Sequence, residues 1–182
     1  PHLVANYYRF DGISSNVAKD NRLFRETLQV GDSTMLTMYG FPLKHGDVQT
    51  ALDEPFSVVI TAKMAQKYFD REDVVGETLT IENFSNERRP FTITGVLDKT
   101  QNSITTFNDV NDTHFFIPTN TLSFFGRNID SWNNLVVIGF LELQEGVQPN
   151  DLDAAFQQLL TDHTQSYVAE NLTPYLVSLE DY

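Results

Sequence analysis

An α+β fold is expected for this chain of 182 residues, and three stretches carry the expectation. Ser57 to Ile60 (SVVI) is a β-branched run that feeds straight into the helical pattern Ala62 to Phe69. GETLTIENF and RPFTITGVL each place apolar residues on alternate positions, Leu79 and Ile81 in the first, Phe91, Ile93 and Gly95 in the second, so they read as paired strands. Leu135 to Leu143 (LVVIGFLEL) reads as a buried strand, and with a helix starting at Pro149 or Asn150 and with Pro174 to Leu179 (PYLVSL) it is expected to form a β-α-β unit.

In chain order, Asn6 to Ile13 (NYYRFDGI) mixes aromatic and polar residues as a strand does, and VAKDNRLFRETLQV fits either a strand or a short helix. Thr34 to Phe41 (TMLTMYGF) suits a packed helical turn, closed by Pro42 and Gly46-Asp47. Thr61 stands where a side-chain oxygen could cap the helix, whose stripe Met64, Ala65, Tyr68, Phe69 reads as core. The polar SNERR between the two paired strands is a hairpin loop, and from Leu97 to Phe125 the pattern is irregular, polar and then apolar (HFFIP, LSFF). In the last helix Leu152, Ala155, Phe156, Leu159 and Leu160 fall at helical spacing, which predicts an apolar face against LVVIGFLEL and PYLVSL.

Composition bounds what such a fold can do. An apolar fraction of 41% with 20% charged residues suits a folded protein with a real core. Twenty-five Asp and Glu against twelve Lys and Arg give a net charge of -13, which repels nucleic acid and anionic lipid. Cysteine is absent, so disulfides, thiolate metal sites and a cysteine nucleophile are excluded. The longest apolar run, Leu135 to Leu141, is far short of the roughly 20 residues that span a bilayer. The start at PHLVANYY and the stop at LVSLEDY fit a fragment of a longer protein.

No motif supplies chemistry. There is no Gly-x4-Gly-Lys-Ser/Thr phosphate loop and no G-x-S-x-G elbow. His2, His45, His114 and His163 lack the i,i+4 partners of a metal face and read as surface or packing residues. Asp109, Asn111 and Asp112 resemble the start of a calcium loop without its Gly and closing Glu, and a solvated turn is the better reading. Sequons at Asn83, Asn111 and Asn171 are no more than chance supplies. No catalytic, cofactor-binding or metal-binding residue is therefore expected.

One segment is nonetheless specific. Phe41, Leu43, Gly46, Asp47, Ala51, Leu52, Pro55, Ser57 to Thr61, Ala65, Lys67, Tyr68 and Phe69 stand in the order of the motif F-x-L-x-x-G-D-x-x-x-A-L-x-x-P-x-S-V-V-I-T-x-x-x-A-x-K-Y-F. Gly76, Thr78 and Leu79 continue it, Phe91, Thr94, Gly95 and Val96 complete it, and LDKTQNSITTF and LELQEGVQPNDLDAAFQQLL add weaker matches. With these residues the chain from about Thr34 onward resembles the MacB-like periplasmic core domain of FtsX-like ABC-transporter permeases. It departs at Val74-Val75-Gly76-Glu77, where Pro-Ile-Gly-Lys is usual, and at Met35-Leu36, where paired Phe is common.

The resemblance implies a non-enzymatic periplasmic domain of two lobes: a β-α-β porter-like lobe, about 1-40 and 130-182, with a mixed α/β lobe, about 41-129, inserted in it. It implies an inner-membrane permease, facing the periplasm, that transmits movement driven by a cytoplasmic ATPase to a substrate or partner in efflux, lipoprotein release or cell-wall hydrolase control. The partners implied are a second permease copy, the ATPase and a periplasmic adaptor or cargo, the fragment alone being monomeric. The alternative is a free-standing secreted or surface binding module without catalytic activity.

Overall fold

The chain opens with a long antiparallel hairpin, β1 (Val4–Lys19) and β2 (Arg22–Gly31), in register from Phe10 opposite Gly31 to Lys19 opposite Arg22. The computed structural model describes residues 2–98, 113–130, 132 and 137–179. VAKDNRLFRETLQV is thus strand on both sides of a turn at Asp20, which takes the left-handed backbone that Asp tolerates, φ 52°. A one-turn helix, α1 (Met35–Met38), buries Met35 and Leu36, and β3 (Leu43–Gly46) follows.

β4 (Ser57–Thr61) runs into α2 (Ala62–Phe69), and β5 (Thr78–Glu82) and β6 (Arg88–Leu97) form the expected antiparallel pair. The loop is shorter than SNERR, because Arg88 and Arg89 already belong to β6. Thr61 occupies the cap position without capping, since its hydroxyl lies 3.3 Å from Nδ1 of His114 instead. β7 (Phe115–Pro118) is buried throughout and continues into a 3-10 helix, Thr119–Phe125.

These strands close on themselves. β2 pairs with β7 in parallel, β7 with β4 antiparallel, β4 with β6 in parallel, and β5 returns to β1 through Val17 opposite Ile81. The ladder β1-β2-β7-β4-β6-β5 is therefore a six-stranded mixed barrel, with β3 added on β6. Closure leaves the six strands no open edge, which removes the usual template for aggregation. Inside, Leu28, Val58, Ile60, Ile81, Phe91 and Phe115 share one core with Met64, Ala65 and Tyr68 of α2 and with Leu122 and Phe125 of the 3-10 helix.

Contacts group the chain into two compact units, Tyr8–Ile129 with Val136–Gly139, and Pro1–Tyr7 with Asp130–Leu135 and Phe140–Tyr182. Residues 8–40, expected with the C-terminal third, belong to the larger unit because β1 and β2 are barrel strands. The smaller unit holds most of β8 (Ile138–Leu143), which pairs with β1. It also holds a 3-10 turn (Pro149–Leu152), α3 (Asp153–His163) and α4 (Ser166–Asn171).

Three expectations fail in this last third. β8 is not buried: Ile138 is 55% exposed, and an apolar run marks a core strand only when both of its faces are covered. The buried residues of the helical region are Leu152, Leu160 and Ala169, while Phe156 is half-buried and Leu159 exposed, because α3 turns toward α4 through the 2.6 Å bond from Gln157 Nε2 to the Ala169 carbonyl. Pro174 to Leu179 forms no strand, so there is no β-α-β unit. The alternation is strand-like, yet no ladder partner satisfies it, and Tyr175 and Val177 stand in solvent.

Candidate functional site

Within the larger unit, a cleft of about 550 Å³ opens where the segment before β4, the β5–β6 loop and the end of the 3-10 helix meet. Phe56, Phe84, Phe124, Ser85, Ser123, Glu87 and Arg89 line it. Phe56 has φ 60°, a left-handed conformation that costs a non-glycine residue about 1–2 kcal/mol. Two bonds impose it: the Phe56 N–H donates to the buried Thr121 hydroxyl at 3.0 Å, and its carbonyl accepts from the Thr92 N–H at 2.9 Å. Backbone strain held by its surroundings in this way is a mark of functional sites.

The opposite wall is equally fixed. Asn83 Oδ1 accepts from the N–H groups of Ser85 and Glu87, each at 2.9 Å, and its Nδ2 donates to the Phe124 carbonyl at 2.9 Å. The Asn83 sequon is thereby accounted for as turn geometry. Phe84, 55% exposed, meets the edge of Phe125 and lies 5.3 Å from the Arg127 guanidinium. Phe56 and Phe124 are edge to face at 5.9 Å, and the Arg89 guanidinium sits over both rings at 5.2 and 5.8 Å. Arg89 Nε donates to Glu87 Oε1 at 2.9 Å.

A second depression, of about 510 Å³, lies by the β1–β2 turn, but its charges are spent on one another. Lys19 pairs with Glu77, and Arg22 with Asp70 and the Lys67 carbonyl. Next to it Glu26 accepts from both Tyr68 and Lys67, at 2.7 and 2.6 Å, and burial first, then this bond, pushes the Tyr68 hydroxyl pKa up. This is a clasp of α2 on β2.

The histidines are dispersed. His114 lies against Thr61 and Lys63, His45 Nδ1 is 3.9 Å from Asp73, His163 stacks on Trp132 at 4.9 Å, and His2 is exposed. Among the described residues no three His, Asp or Glu side chains could hold a metal, and no helix is long and apolar enough to cross a membrane. Asp109, Asn111 and Asp112 lie outside the described residues. The stripe Met64, Ala65, Tyr68 is core, with Phe69 packed against it.

Sequence reasoning missed the cleft, because its rings come from positions 56, 84 and 124 and Arg89 reads as part of a polar loop. The signals available were fourteen Phe residues and the aromatic ends of LSFF and ENF.

Residues 3–159 match the MacB-like periplasmic core domain. The chain belongs to that family. As the notable motif residues implied, it is a MacB-like periplasmic domain of an ABC-transporter permease. Similar solved structures share the fold of this MacB-like domain. A domain of a protein assigned as a permease from Porphyromonas gingivalis is 24% identical with a TM-score of 0.68, the match covering 91% of this chain and 67% of that one. The periplasmic region of MacB from Actinobacillus actinomycetemcomitans is 16% identical with a TM-score of 0.61, covering 96% and 79%. The extracellular domain of the noncanonic ABC-type transporter YknZ from Gram-positive bacteria is 17% identical with a TM-score of 0.58, covering 87% and 75%. No curated protein matches the chain.

The departures from the family motif keep their physical roles. Met35 and Leu36 are fully buried where paired Phe is common, and Val74 is buried. Gly76 keeps a left-handed φ of 89°, and Glu77 exchanges the usual Lys for pairs with Arg71 and Lys19.

Proposed function

We propose that this domain transmits ATP-driven movement of a permease to a substrate or partner on the periplasmic face of the inner membrane. The family match across residues 3–159 carries this reading. Barrel closure, the aromatic core and the Glu26 clasp build the rigidity that a lever needs. A cytoplasmic ATPase drives a second permease copy as well, a periplasmic adaptor or cargo takes up the movement, and the domain alone, with its net charge of -13, is a monomer.

The test replaces the domain by a flexible linker in the intact permease. ATP hydrolysis by the reconstituted complex is measured beside three cellular readouts: drug resistance, lipoprotein release and cell-wall hydrolase activity. Retained hydrolysis with loss of one readout is the expected result and selects among the three roles. Unchanged readouts in cells that make the linker protein would refute the proposal.

A further inference from the structure

In the cleft between the β5–β6 loop and the 3-10 helix, Arg89 has hydrogen-bond donors left over. Both Glu87 oxygens are engaged, Oε1 by Arg89 and Oε2 by Asn83 Nδ2 at 3.4 Å. Arg89 spends only Nε on Glu87, and among the described residues its two terminal nitrogens meet no acceptor. The guanidinium carbon lies over the rings of Phe56 and Phe124, and Ser85 and Ser123 line the same cleft. Arg89 thus offers two free donors beside hydroxyls that can donate or accept, with aromatic rings on part of the surrounding wall.

We propose that this cleft binds a small apolar carboxylate, its body against Phe84 and Phe124 and its carboxylate on the terminal N–H groups of Arg89. A planar guanidinium with two free nitrogens matches a carboxylate bidentately, which an ammonium could not do. Phe56, Phe84, Phe124 and Phe125 supply the apolar part of a cleft whose open lining is mostly polar, and about 550 Å³ lies within the size range of small-ligand sites. The net charge of -13 does not forbid an anion, because charges beyond about 8 Å are screened at physiological salt and the charges lining the cleft, Glu87 and Arg89, balance. The strained Phe56 backbone and the Asn83 lock hold the walls in place before the ligand arrives, so little ordering is lost on binding. This site stands whether or not the domain transmits movement.

The experiment titrates the 182-residue chain with decanoate, decanol and decyltrimethylammonium, following backbone amide shifts by NMR. Decanoate is expected to move the amides of residues 83–89 and 123–126 and to bind about tenfold or more tightly than the other two, the difference a charge-assisted pair supplies. Arg89→Gln removes that preference, Arg89→Lys restores only part of it, and Phe84→Ala weakens all three ligands. Arg89 and Phe84 are exposed, so the variants keep the wild-type melting temperature, which is checked alongside. Equal binding of the three amphiphiles, shifts centred elsewhere, or an Arg89→Gln variant that still prefers decanoate would overturn the assignment.

Discussion

Gly46 shows how a motif letter becomes a physical requirement. It sits at φ 101° opposite Gly95 in the β3–β6 pair, and a side chain there would run into the Thr94 carbonyl. Gly76 is also left-handed, at φ 89°, but faces open space. Gly46→Ala is expected to cost about 1–3 kcal/mol and Gly76→Ala about 1, read from urea midpoints. Equal losses would mean that the Thr94 contact carries no weight. Glu82 gives a pH test. Arg88 Nε at 2.7 Å and Asn16 Nδ2 at 3.0 Å hold its carboxyl below the ordinary 4.5, Arg88 contributing most. A depressed carboxylate stabilises the fold above its unfolded value, and that share is lost as pH falls through the folded value. Glu82→Gln should thus be less stable than wild type at pH 7, the gap closing as pH falls below the ordinary carboxylate value and through the lowered folded one. A gap that stays constant down to pH 3 would assign the effect to packing.

At the scale of elements, β4, α2, β5 and β6 were legible because each has a local cause: a β-branched run, a helical stripe, two period-2 stretches around a turn. α2 is clasped by Tyr68 and Lys67 on Glu26, and Tyr68→Phe removes one hydrogen bond to a charged, largely buried acceptor. The expected loss is about 1.5–3 kcal/mol. A midpoint unchanged in urea would leave Lys67 as the whole clasp. α3 was read with its face displaced. Periodicity offers Leu152, Phe156 and Leu159 as a face against strands at 135–143 and 174–179, but no strand forms at 174–179, and Gln157 of α3 bonds to Ala169 of α4. The physical ordering is therefore Leu160→Ala first, at about 2–5 kcal/mol for a buried leucine, with Phe156→Ala smaller. Gln157→Ala, which a solvent-facing reading makes neutral, is expected to cost about 1 kcal/mol through its lost bond to Ala169. Melts ranking Phe156 above Leu160 would return the helix to its first phase.

Over the whole molecule, what the sequence could not disclose is closure and convergence. The barrel is completed by Val17 opposite Ile81, a pairing across more than sixty residues that no local pattern encodes, and the cleft gathers rings from three distant elements by the same route. Closure also sets how stability is distributed. A barrel amide can be released only by breaking a ladder that continues on both sides, and beneath it lies a core of fully buried side chains such as Leu28, Val58, Ile60 and Phe91. The smaller unit buries Leu152, Leu160 and Ala169 but leaves Tyr167, Leu172, Tyr175 and Val177 in water, so far less apolar area resists its opening. Native-state hydrogen exchange should separate the two. Amides of β2, β4 and β6 are expected to exchange only with global unfolding and to follow the urea dependence of the whole chain. Those of α3 and α4 are expected to exchange earlier, with a smaller urea slope, because less surface is exposed when they open. If α3 and α4 exchanged with the same free energy and slope as the barrel strands, the two units would be one cooperative body, and Leu160→Ala would then lower the protection of every barrel amide by the same amount.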